Sequence, residues 1–134
     1  MKKEKSTNQE KIQSKNLIEE ITDILEPCIK CGMCKSNCPV FKIVREETVS
    51  PRGHSILLLN KKLENSLYDC NLCKSCEKNC PLGIPICDAI VKARESLALQ
   101  KRNTDANNKM IKNIKKTGNP FGDKPPEGEE LFCC

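Results

Sequence analysis

The chain contains no tryptophan, one tyrosine and three phenylalanines in 134 residues, so the apolar core it can build alone is thin. A single histidine, His54, stands without a Ser-His-Asp or Cys-His set, and the acid-base groups of a substrate site are missing with it. No G-x-G-x-x-G and no P-loop is present, which excludes the usual cradles for nucleotide phosphates. No apolar run approaches the roughly 18 residues of a membrane span, so no transmembrane segment is expected. The start, Met1-Lys2-Lys3-Glu4-Lys5, is polar where a secretory leader would be apolar. Cytoplasmic location is therefore expected, and a disulfide framework is not. Lysine clusters (Lys2, Lys3 and Lys5; Lys112, Lys115 and Lys116) lack interleaved aromatics, so no nucleic-acid partner is expected.

What the chain has instead is cysteine. Eight of its eleven cysteines form two copies of one cassette: Cys28-x2-Cys31-x2-Cys34-x3-Cys38-Pro39 and Cys70-x2-Cys73-x2-Cys76-x3-Cys80-Pro81. Each copy matches the C-x2-C-x2-C-x3-C-P run that binds iron-sulfur clusters in bacterial-type ferredoxins. Three thiolates at x2 spacing wrap one face of a cubane, while the fourth, displaced by x3 and halted by proline, points elsewhere. In two-cluster ferredoxins that fourth thiolate ligates the other cluster. The spacing thus assigns Cys28, Cys31, Cys34 and Cys80 to one [4Fe-4S] cluster, and Cys70, Cys73, Cys76 and Cys38 to a second. Zinc suits pairs of cysteines drawn from separated turns, and a thioredoxin-type C-x-x-C would stand without a third and fourth cysteine in register. Eight ligand thiolates and two oxidised cluster cores cancel most of the formal +5 charge.

The segments around the cassettes carry helical patterns. Thr7-x-x-Glu10 is a capping box ahead of an apolar face of Leu17, Ile18, Ile21, Ile24 and Leu25, closed by Pro27. Ser50-Pro51 offers an N-cap and a first-turn proline, and Ile56, Leu59, Leu63 and Leu67 then share one helix face, which predicts a single amphipathic helix between the cassettes. Pro85 opens another helix, with Ile86, Ile90, Val91, Leu97 and Ala98 on its face. A last helix is predicted from a Thr104 cap through Met110, Ile111 and Ile114 to Gly118. Six of the seventeen residues from Gly118 onward are glycine or proline, so periodicity ends there. The expected fold is all-α: an N-terminal helical extension (1–26), an alpha-helical ferredoxin domain with two [4Fe-4S] clusters between short helices (27–117), and a Gly/Pro-rich tail (118–134).

The runs CIKCGMCKSNCPVF, SPRGH, CNLCKSCEKNCPLGIP and GNPFG resemble the helical ferredoxin domain shared by heterodisulfide reductases, by the iron-sulfur subunits of glycolate oxidase and anaerobic glycerol-3-phosphate dehydrogenase, and by lactate-utilisation iron-sulfur proteins. The resemblance covers roughly residues 25 to 125. It implies an electron-relay subunit with two [4Fe-4S] clusters and no substrate site of its own, working in a heterodisulfide-reductase-like or 2-hydroxyacid-dehydrogenase-like oxidoreductase complex. The implied redox partner is a CCG-domain or flavoprotein subunit, through which peripheral membrane association is open. The alternative is a free-standing ferredoxin-like carrier. Where such relatives continue into a CCG domain, this chain reads Cys133-Cys134, expected to be the stub of one. Cys87 is expected to be a buried free thiol, and His54, just after a helix start, to be exposed or capping.

Overall fold

In a computed structural model, which describes residues 7–123, the chain is all-α: no strand occurs among the described residues. Two compact units divide it, Met1–Arg102 and Asn103–Cys134. No helix among the described residues is long and apolar enough to cross a membrane.

The first unit begins with α1 (Asn8–Leu25). Its start is the predicted capping box: the Thr7 N–H donates to Glu10 Oε2 at 2.7 Å and the Glu10 N–H to Thr7 Oγ1 at 3.3 Å. Ser14, Ile21 and Leu25, at i, i+7 and i+11, form its buried face and pack on α5 (Ile86–Leu99). The buried stripe of α5 is Ile86, Ala89, Ile90, Ala93 and Leu97. Val91 and Ala98, expected on that face, are exposed instead, because the small alanines set the phase that lets α1 approach. Within this interface Ser14 Oγ and Ser96 Oγ lie 2.8 Å apart, and Gln100 Nε2 donates to Ser14 Oγ at 2.9 Å, so the buried hydroxyls are satisfied.

Between these two long helices lie shorter ones: α2 (Pro39–Val44), α3 (Pro51–Leu59) and α4 (Ser75–Lys78). The single helix predicted between the cassettes is in fact interrupted. After α3 the chain turns through Asn60 and Lys61, the latter at φ 56°, and Leu67 sits in a separate 3-10 turn, Asn65–Asp69. Leu58, Leu63 and Leu67 still reach the core, because the turn carries the apolar sequence around a corner and not along an axis. The 3-10 turn Glu47–Val49 precedes α3, whose N-cap is Ser50, with Oγ accepting from the Gly53 N–H at 2.9 Å.

The second unit contains α6 (Asp105–Thr117). Thr104 caps its start, with Oγ1 accepting from the Asn107 N–H at 3.4 Å, and Gly118, at φ 74°, ends it. Cys133 and Cys134, with most of the predicted tail, lie outside the described residues.

Candidate metal centres

Each cassette turns by the same backbone device. The second residue after the first cysteine and the residue after the second cysteine are left-handed in both copies: Lys30 (φ 58°) and Gly32 (φ 85°) in the first, Leu72 (φ 56°) and Lys74 (φ 61°) in the second. Alternating hands of this kind curl the chain and aim successive N–H groups inward, as in backbone nests that hold anions and iron-sulfur sites. A short 3-10 turn, Met33–Lys35, follows in the first copy and α4 in the second.

Two clefts result. One is lined by Cys28, Cys31, Cys34 and Cys80, with Ile84 and Ile86 among its apolar walls. The other is lined by Cys38, Cys70, Cys73 and Cys76, joined by Cys87 and His54. Each cleft therefore draws three thiols from one cassette and the last thiol from the other. Among the described residues no three His, Cys, Asp or Glu side chains close on a single-ion position; the thiols ring a volume. Cys38 and Cys80 cross over because each is followed by Pro39 or Pro81, which turns the chain away from its own loop. Cys38 also caps α2, the Phe41 N–H donating to its Sγ at 3.5 Å.

The clefts fit an iron-sulfur cluster on chemical grounds. Burial pushes the Cys34 thiol up to about 11, and the neighbouring Cys28, Cys31 and Cys80 thiols add to the rise. Burial also raises Cys70 and Cys76, whereas Cys73, near the surface, is lowered by hydrogen bonds to the backbone and then the side chain of Ser75. Thiolates gathered in such a place need a cationic partner. At the first cleft Arg52 Nε is buried with no hydrogen-bond partner among the described residues, a donor left over beside four cysteine sulfurs.

The run SPRG now has a physical content. Ser50 caps α3, Pro51 occupies its first turn, Arg52 lines the first cleft, and Gly53 allows a close backbone approach, since a Cβ there would lie 1.8 Å from the Glu47 carbonyl oxygen. Glu47 ties this corner to the first cassette: its carboxylate accepts from Lys35 Nζ at 2.7 Å and from Ser50 Oγ at 3.1 Å, with Arg52 Nη1 at 3.8 Å. Those cations and hydrogen bonds outweigh its slight burial and hold its pKa below the ordinary value.

Three residues that the pattern reading passed over or misplaced support the second cleft. His54, expected to be exposed or capping, is 1% exposed, with Nε2 3.2 Å from the Ser66 carbonyl oxygen. Arg94 donates from Nε and Nη2 to the Leu67 carbonyl at 2.9 and 2.7 Å, and from Nη2 to the Cys70 carbonyl. Glu77 Oε1 accepts from the Cys87 N–H at 2.8 Å, serving the start of α5, where Pro85 provides no side-chain cap. These partners come from other elements, so no local motif announces them. Cys87 is buried, as expected.

Residues 24–84 match the family model described as a 4Fe-4S dicluster domain. The chain is also similar to the glycolate oxidase iron-sulfur subunit of Escherichia coli (strain K12), 36% identical over 47 residues, a stretch that covers 35% of this chain and 11% of that protein. Both cassettes fall inside the segment similar to a 4Fe-4S dicluster domain, residues 24–84, and their thiols are parted into two clefts.

Proposed function

We propose that this protein is an electron-relay subunit of an oxidoreductase complex of the heterodisulfide-reductase or 2-hydroxyacid-dehydrogenase kind. In this reading Cys28, Cys31, Cys34 and Cys80 hold one [4Fe-4S] cluster, and Cys38, Cys70, Cys73 and Cys76 hold the other. The observation that carries it is the crossed partition of eight thiols between two clefts. When bound, such clusters supply one-electron couples whose potentials the surrounding protein sets. The chain's own part is to ligate, to bury and to orient. The left-handed residues of the two cassettes curl the backbone as nests do, Arg52 adds a donor at the first cleft, and Arg94 holds the carbonyl of Cys70. The similarity to a glycolate oxidase iron-sulfur subunit supports the iron-sulfur electron-transfer role; the proposal adds a flavoprotein or CCG-domain partner that carries the substrate site, and a place in the cytoplasm.

The test is anaerobic reconstitution. The chain should take up about eight iron and eight sulfide. Cys38→Ser should then disturb the electron paramagnetic resonance signal of the cluster held by Cys70, Cys73 and Cys76, and Cys80→Ser that of the cluster held by Cys28, Cys31 and Cys34. Stoichiometric zinc in protein isolated without oxygen, or substitutions that each disturb only their own cassette's cluster, would overturn the assignment.

A further inference from the structure

The two clefts are not equivalent. The first has four cysteines and is walled near its fourth by Ile84 and Ile86; the second has a fifth, Cys87, at the start of α5. Cys87 is 3% exposed and its Sγ lies 4.0 Å from Sγ of Cys76, within reach of a sulfur hydrogen bond. Its position is fixed from two sides. The first turn of α5 holds its backbone, and the carboxylate of Glu77, the residue next to Cys76, accepts its N–H at 2.8 Å. The fifth thiol and its neighbouring ligand are thus tied together through both backbone and side chain.

We infer that Cys87 is a positioning residue that donates an S–H···S hydrogen bond to Cys76 and so raises the reduction potential of the second cluster relative to the first. The inference rests on the ligand assignment proposed above. Once Cys76 ligates iron it carries no proton, so the only hydrogen between the two sulfurs is that of Cys87 and the direction of donation is fixed. Four irons are already served by Cys38, Cys70, Cys73 and Cys76, which leaves Cys87 its proton and no iron to bind. A hydrogen bond to a ligating sulfur draws negative charge from the cluster and favours the reduced form, which holds one electron more. No bond is made or broken at Cys87 and no proton leaves it. Because S–H is a weak donor, the effect is modest but confined to one of the two clusters.

Redox titration of the reconstituted chain, followed by electron paramagnetic resonance with the two signals assigned from Cys38→Ser and Cys80→Ser, tests this. Cys87→Ala should shift the second cluster to a lower potential, changing its share of the electron by severalfold to about tenfold, the latter about 59 mV for a one-electron couple. The first cluster should stay where it was. Cys87→Ser, which keeps a donor, should restore most of the shift. Should alanine impair loading, Cys87→Val fills the site without a donor and carries the same expectation. No shift in either apolar variant, an equal shift of both clusters, or no difference between Ser and Val would overturn the inference while leaving two loaded clusters in place. A wild-type chain that takes up no iron and sulfide would instead strike at the ligand assignment.

Discussion

Arg94 and Cys70 are joined by a hydrogen bond that crosses from α5 to the opening residue of the second cassette, the guanidinium donating to the Cys70 carbonyl while it also holds that of Leu67. Tyr68 lies beside it, with the guanidinium carbon 5.8 Å from the ring centroid. Lysine keeps the charge but lacks the planar fork that serves two carbonyls at once. Arg94→Gln should therefore destabilise the loaded protein by about 2 kcal/mol, the scale of hydrogen bonds from a charged donor. Arg94→Lys should recover only part of it. Chemical unfolding under anaerobic conditions measures both, and the signal of the second cluster should be lost before that of the first.

Gly53 tests a different kind of constraint. Its missing side chain leaves room for the Glu47 carbonyl, which a Cβ would meet at 1.8 Å, and backbone cannot swing aside as a side chain can. Gly53→Ala should destabilise by about 3 kcal/mol or more, beyond the usual range for overpacking, because the corner holding Ser50, Glu47 and Arg52 has to open. A thermal transition of the loaded variant within a degree or two of wild type would contradict this.

What the sequence disclosed was local. Thr7 with Glu10, Ser50 with Pro51, and Thr104 with Gly118 mark helix ends because each cap acts over three or four residues, and the structure has all of them. The cassettes were legible for the same reason: their chemistry is written in spacing. The break at Lys61 was not, since Leu63 and Leu67 continue an apolar period that a turn preserves as well as a helix does. Nor was the phase of α5, where alanines outrank a valine because closeness to α1 decides burial. Arg94, Glu77 and the Ser14–Ser96 pair were invisible, as their partners lie 24 or 27, 10 and 82 residues away.

His54 gives the fold a pH dependence of known sign. Burial holds its pKa below the ordinary value and the Arg94 charge acts the same way, while the Ser66 carbonyl and Asp69 oppose them. The unfolded imidazole gains its proton near pH 6.5, so below about that value the unfolded state binds more protons and stability declines as the pH falls. Above it the contribution is complete. Unfolding midpoints of the loaded protein between about pH 7.5 and 5.5 should fall toward acid, and His54→Gln should remove that part of the slope. Identical slopes in the two proteins would show that His54 is not the group responsible.

Gly32 and Lys74 occupy the same place in the two cassettes, each following the second cysteine and each left-handed, at φ 85° and 61°. Only the first copy has the residue that adopts this conformation without strain. A side chain there costs about 1–2 kcal/mol, so Gly32→Ala should destabilise by roughly that amount. Its new Cβ would meet only the flexible Arg52 and Lys35 side chains, Arg52 Cδ at 3.4 Å being the nearest, so packing adds little. Lys74→Gly should do the reverse and stabilise by about 1 kcal/mol, after allowing for glycine's greater freedom in the unfolded chain. The pair of substitutions separates backbone strain from cluster ligation, because neither touches a cysteine. Denaturation midpoints moving in opposite directions, with iron and sulfide content unchanged, are the expected outcome; a loss of stability in Lys74→Gly would mean that the lysine side chain contributes more than its backbone strain removes.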